Sequence, residues 1–125
     1  MFDITNKRVL ITGASSGFGA RFAEVLAEHG ADLVLAARRV DKLEATAEKV
    51  RALGRDARVV EMDVSDHANV ARAFENMPAL DVVVNNAGIT REGATDTLSE
   101  EDWNAVVDTN LNGVWAVSKF AIQQW

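Results

Sequence analysis

The chain of 125 residues has no cysteine, no tyrosine, one proline and two histidines. Without cysteine it can form no disulfide, offer no thiolate nucleophile and supply no sulfur to a metal. Without tyrosine it has no phenol to move a proton. His29 and His67 fall at a predicted helix end and a predicted helix start. Surface or capping roles suit them there better than metal ligation, and no metal site is expected. Long hydrophobic runs are also missing, so no stretch has the length of a membrane span. The opening MFDITNKRVL lacks the basic-then-apolar order of a secretory leader. Positive charge is in the minority, and a net charge of −6 disfavours a nucleic-acid partner. These absences together lead us to expect a cytoplasmic protein that engages neither membrane nor nucleic acid.

The apolar content, 48%, is ample for one packed domain over residues 1–125. Strand and helix patterns alternate with little linker. Residues 8–12 read as a first strand and 17–28 as a helix, with Gly30 as its stop. Residues 32–38 hold Leu33-Val34-Leu35-Ala36-Ala37, the continuous apolar run of a strand buried on both faces. A helix over 40–53 keeps Val40, Leu43, Ala47 and Val50 at helical spacing, and Gly54 ends it. Residues 57–63 read as a third strand and 66–76 as a helix, with Ser65 as its N-cap. Pro78 precedes a fourth strand over 80–85, again read as fully apolar. A loose loop over 87–98 leads to Ser99-Glu100-Glu101-Asp102, which opens a last helix with a cap and with acids at its positive end. That helix is expected to run unbroken to the last residue. Its expected buried face is Val107, Leu111, Val114, Val117, Ala121 and Trp125.

Alternating elements with buried strands predict an α/β fold, a parallel sheet with helices on both faces. Right-handed crossovers allow strands 1, 2 and 3 to step outward, with strand 4 returning beside strand 1. The sheet order is then 3-2-1-4, and ligands bind at the carboxyl ends of strands 1 and 4, where the direction of stepping reverses. Two polar, glycine-bearing segments land there. TGASSGFG, residues 12–19, follows strand 1, and Asn85-Asn86-Ala87-Gly88 follows strand 4. A glycine turn between a strand and a helix is where backbone N–H groups can hold a phosphate.

With TGASSGFG, Asp63-Val64, Asn85-Asn86-Ala87-Gly88 and Thr109-Asn110 in this order, the chain resembles the short-chain dehydrogenase/reductases from about residue 5 to its end. NNAGITR, residues 85–91, resembles the branch that holds the 3-oxoacyl carrier-protein reductases. The resemblance implies a three-layer αβα half of a Rossmann-type fold and a nicotinamide dinucleotide as ligand. Carried over residue by residue, Gly13, Ser15, Ser16, Gly17, Phe18 and Gly19 belong to the turn around the pyrophosphate. Asp63 is implied to receive the adenine amino group, with Val64 beside it. Asn86, Ala87 and Gly88 are implied to lie along the adenosine ribose, while Asn85 holds strand 4 in place. Packing alone could also account for Gly13 and Gly19, and Asp63 could be a helix-entry residue.

The end of strand 2 bears on which dinucleotide is taken. A carboxylate there favours NAD, and a cation accommodates the 2′-phosphate of NADP. Ala37 stands at the acid position and Arg38-Arg39 follow, so NADP(H) is expected over NAD(H). Solvated helix-entry arginines are the plainer alternative.

The same resemblance implies a catalytic tyrosine four residues before a lysine, beyond the point where this sequence stops. Asn110 matches the family's helix asparagine and is the one partial catalytic residue. Trp115 and Lys119 have the tyrosine–lysine spacing, but an indole N–H only donates and cannot shuttle a proton. Trp115 is expected to pack and Lys119 to be solvated. The expectation is thus a nucleotide-binding half, inactive alone, with self-association through an open strand 4 edge and an apolar last helix. Trp125 could fill a gap there. Two other readings stand beside it: a fragment active when a C-terminal half complements it, and a truncated or designed scaffold with vestigial binding.

Overall fold

The computed structural model describes residues 3–125; Met1 and Phe2, which belong to the expected single domain and to the opening stretch read for a leader, lie outside them. Strands β1 (Arg8–Thr12), β2 (Asp32–Ala37), β3 (Ala57–Glu61) and β4 (Val82–Val84) form one parallel sheet in the order β3-β2-β1-β4. In register, Val9 lies between Leu33 and Val82, and Ile11 between Leu35 and Val84. This is the expected order, and it places the ends of β1 and β4 side by side.

The pleat sorts the strand residues into two cores. Val9, Ile11, Leu33 and Leu35 point to one face. Helices α1 (Gly17–Glu28) and α2 (Val40–Ala52) cover it with Ala23, Ala27, Leu43, Ala47 and Val50. Leu10, Val34 and Ala36 point to the other face. There α3 (His67–Glu75) brings Val70, and the last helical segment brings Ala116 and Val117. Small residues on the helices, such as Ala23, Ala27, Ala47 and Ala116, let them lie close against the aliphatic strand side chains.

Four expectations need correction. First, β4 spans three residues and is not buried on both faces: Val82 is 38% exposed, and Val83 and Val84 are half-buried. An edge strand lacks the second neighbour that would cover it. Second, β3 ends at Glu61, before Asp63. Third, Asp66, not Ser65, caps α3, its carboxylate accepting from Asn69 N–H at 3.1 Å. The Ser65 hydroxyl instead donates to Asp63.

The fourth correction concerns the last helix, which is not continuous. Helix α4 (Glu100–Val107) passes into a π turn (Asp108–Asn112) and then α5 (Gly113–Gln124). Ser99 does cap α4, accepting from Asp102 N–H at 3.0 Å. The wider turn shifts the helical register, so the buried face of α5 is Gly113, Ala116, Val117 and Ala121. Leu111, Val114 and Trp125 of the expected stripe are exposed. Trp125 fills no gap: its indole N–H donates to the Leu80 carbonyl at 2.7 Å while its ring stays open to solvent. Gln124 adds bonds to Leu80 N–H and the Pro78 carbonyl, tying the end of α5 to the entry of β4.

Candidate functional site

A cleft of about 410 Å³ opens at the carboxyl ends of the strands. One wall is the turn after β1, with Gly13, Ser15, Ser16 and Phe18. A second is the end of β2 and the start of α2, with Ala37, Arg38, Arg39 and Lys42. The third is built from the segments after β3 and β4: Met62, Asp63, Val64, Asn86, Ala87, Gly88 and Ile89. The motifs singled out in the sequence therefore converge on one space.

The three glycines of the turn do different work. Gly13 has φ +65°, and a Cβ there would come 2.8 Å from Ala87 Cα, so both backbone conformation and close approach require glycine. Gly17 has φ +58° with open space around it, so conformation alone selects it. Gly19 is not among the residues that line the cleft. A side chain on it would run into the Gly13 carbonyl and the Asn86 amide. Gly17 and Gly19 thus shape the turn without lining the cleft. Ser16 stands at the N-cap of α1 in extended conformation, and its side chain makes no capping hydrogen bond. Phe18 is 78% exposed, its ring stacked on Phe22 at 6.1 Å.

Asn86 clips the turn to β4. Its side-chain amide donates to the carbonyls of Thr12 at 3.1 Å and Gly13 at 3.2 Å. The buried Thr12 hydroxyl accepts from the N–H groups of Asn86 and Ala87, both at 3.0 Å. Asn85, the residue expected to hold β4, donates instead to Ser118 on α5 at 3.2 Å. Both asparagines anchor the strand, and the one closer to the cleft also fixes the turn.

Three cations stand at the end of β2. Arg38 and Lys42 make no ion pair among the described residues, and Arg39 reaches Asp41 only at 3.9 Å. All three side chains are exposed. Lys42 was not singled out from the sequence. Its place in the first turn of α2, four residues after Arg38, is the signal that could have found it. Ala37, buried beside them, leaves the strand end without a carboxylate.

Across the cleft, Asp63 is held by its own local turn. Its Oδ1 accepts from Ser65 N–H at 3.0 Å and from the Ser65 hydroxyl at 2.7 Å. Its N–H donates to Asn69. Val64 is buried against Gly113, where any side chain would collide with it. The loop after β4 is fixed from the π turn. The Asn110 amide donates to the Ile89 carbonyl and accepts from Ile89 N–H, both at 2.9 Å. Asn110 itself stands behind the cleft, while Thr109 and Ile89 line it.

Trp115 and Lys119 lie elsewhere. Trp115 is 57% exposed, its ring 5.4 Å from that of His67, and the Lys119 ammonium sits 5.2 Å from the indole centroid. Trp115 packs at the surface, against His67 and Lys119, rather than in either core. Among the described residues there is no cluster of three histidine, cysteine or acidic side chains able to hold a metal. No helix among them is long and apolar enough to cross a membrane.

A sequence model of the short chain dehydrogenase family matches residues 7–125. The chain is 41% identical to the oxidoreductase UcpA of Salmonella typhimurium over 99% of its own length and 48% of that protein's. It is 42% identical to the 3-oxoacyl-[acyl-carrier-protein] reductase FabG of Aggregatibacter actinomycetemcomitans, over 90% and 48%. Among solved structures, a gluconate 5-dehydrogenase from Burkholderia cenocepacia, in complex with NADP and tartrate, superposes with a TM-score of 0.88. The identity is 36%, and the match covers 95% of this chain and 48% of that one. The chain spans about half the length of the curated relatives it matches.

Proposed function

The chain belongs to the short-chain dehydrogenase family, and from that premise we propose that its cleft binds a nicotinamide dinucleotide, NADP(H) in preference to NAD(H). The observation that carries this reading is the meeting of a glycine turn with a cation cluster in one cleft. The fit is chemical. No hydrogen bond from the Ser15 N–H is found among the described residues, and the Ser16 side chain makes no capping bond. Both can donate to a pyrophosphate at the N-terminus of α1. Arg38, Arg39 and Lys42 can take a 2′-phosphate, and Ala37 presents no carboxylate to repel it. Asp63 has one oxygen committed to Ser65 and another free to accept from an adenine amino group. Ala87 and Gly88 offer a smooth wall for the adenosine ribose.

Hydride transfer is the chemistry that NADP(H) supplies in such a site. This chain's own contribution is to bind and orient the adenine end. Asn110 holds the Ile89 peptide at the far rim and moves no proton. With no tyrosine in the sequence, the chain alone is inactive in carbonyl reduction or alcohol oxidation. Because the chain spans about half of its relatives, a second reading has specific support: activity when a C-terminal half of the family type is added in trans. The outer edge of β4 has no strand partner among the described residues, and self-association of the separate chain along that edge follows from it. A cytoplasmic setting is part of the same reading.

Titration with NADPH and NADH, followed by nicotinamide fluorescence, tests the proposal. Saturable binding with NADPH tighter is the expected result. Equal affinities would remove the cation cluster from the account, and no binding of either would overturn the reading.

A further inference from the structure

We infer that Thr46 is a positioning residue for the phosphate-holding turn, acting from α2 through the Ala14 peptide. This rests on the reading of the cleft as a dinucleotide site. Thr46 is 4% exposed, one of two buried polar residues among those described. Its hydroxyl crosses from α2 to donate to the Ala14 carbonyl at 3.1 Å, a contact between residues 32 apart in sequence. The N–H of Ala14 is also held, donating to the Ala36 carbonyl of β2 at 3.2 Å. Ala14 itself is fully buried. Both peptide groups of one turn residue are therefore tied inward, to β2 and to α2.

The carbonyl of Ala14 and the N–H of Ser15 belong to the same planar trans peptide and point in opposite directions. With the carbonyl drawn inward by Thr46, the Ser15 N–H is turned outward, toward the cleft that Ser15 lines. Nothing else among the described residues hydrogen-bonds to the Ala14 carbonyl. The helix that delivers this bond also carries Lys42 one turn earlier. A single rigid element thus fixes the turn that faces a pyrophosphate and the cation that faces a 2′-phosphate. Valine fits the space of Thr46 but leaves the Ala14 carbonyl buried without a donor, and the peptide is then free to rotate.

The test compares wild type, Thr46→Val and Thr46→Ser, well below their unfolding temperatures. The ligands are NADPH and adenosine 2′-monophosphate, which lacks the pyrophosphate. In Thr46→Val, NADPH binding is expected to weaken about three- to tenfold, with adenosine 2′-monophosphate unchanged and Thr46→Ser close to wild type. Equal weakening for both ligands would reduce Thr46 to a general stability role and overturn the inference, as would no weakening. The Ser15 amide provides a readout independent of ligand. Its NMR shift and hydrogen exchange without ligand should change in Thr46→Val and return in Thr46→Ser; an unmoved amide overturns the inference. If wild type binds no NADPH, the reading of the cleft fails, and the amide still decides whether Thr46 sets the peptide.

Discussion

Strands β2 and β4 are written in the same aliphatic alphabet, yet they behave as different objects. β2 carries Leu33-Val34-Leu35-Ala36-Ala37, all five buried, with β1 on one side and β3 on the other. β4 is Val82-Val83-Val84, half-buried at best, paired to β1 alone. The contrast extends to the segment after each strand. β2 leads almost straight into a regular helix, with Arg38 and Arg39 between them and Lys42 in the helix lining the cleft, and Thr46 bonded to the turn after β1. β4 leads into a loop that is tied to the rest of the fold through side chains: Asn86 to the turn, Asn85 to Ser118, and Ile89 to Asn110. Burial in a sheet is conferred by neighbours. Where neighbours are few, polar side chains do the fixing, and the backbone tolerates departures such as the π turn behind the loop.

The largest expected effect tests that contrast directly. Leu35→Ala, at the fully buried centre of β2, should cost about 2–5 kcal/mol in denaturant unfolding. Val82→Ala, on β4, should cost less than about 1 kcal/mol. Comparable losses would mean that the β4 edge is covered in solution, and sedimentation would then reveal a larger species.

Next come the glycines of the turn. Gly19→Ala forces a side chain into the Gly13 carbonyl and Asn86, with a loss of about 1–3 kcal/mol and of the turn's shape. Gly17→Ala meets no atoms, and only its positive φ opposes it, at about 1–2 kcal/mol. The sharper readout is dinucleotide affinity. It should fall for Gly19→Ala even after correction for stability, because the damage lies where β1 and β4 meet.

Third in size is the cation cluster. Arg38→Asp should cost about tenfold in NADPH affinity and leave NADH bound as well or better. An unchanged preference would assign the 2′-phosphate to Arg39 and Lys42 instead.

The smallest effect belongs to the contact between α1 and α2, on the well-ordered side of the sheet. The Lys49 ammonium foremost, at 3.3 Å and against an opposing push from burial, holds the Glu24 carboxyl below its usual range, with Arg21 helping at 3.1 Å. A carboxyl with a lowered pKa in the folded state stabilises fully above its unfolded value, about 4.3, and the contribution is lost as pH falls through the folded value. Glu24→Gln should therefore flatten the acid limb of a stability–pH curve by a few tenths of a kcal/mol and leave the plateau's slope unchanged. A limb identical to wild type would show that the pair contributes nothing measurable.

Much of the cleft could be read from residues 12–19, 37–39, 63–64 and 86–88, since glycine turns, serines and strand-end charges carry local meaning. Lys42 escaped notice because a lysine in the first turn of a helix looks like any solvated one until α2 is placed against the strand ends. For Thr46, no local pattern says which carbonyl its hydroxyl meets.

The alternation of elements, the sheet order and the position of the glycine turn after β1 are legible in the sequence, because periodicity and handed crossovers act over short stretches. The half exposure of β4, the widening of the last helix at Asp108–Asn112, the clip from Asn86 to the turn and the bond from Thr46 to Ala14 come from packing instead. Each of these depends on which groups meet across tens of residues, and such contacts are set by packing the elements together.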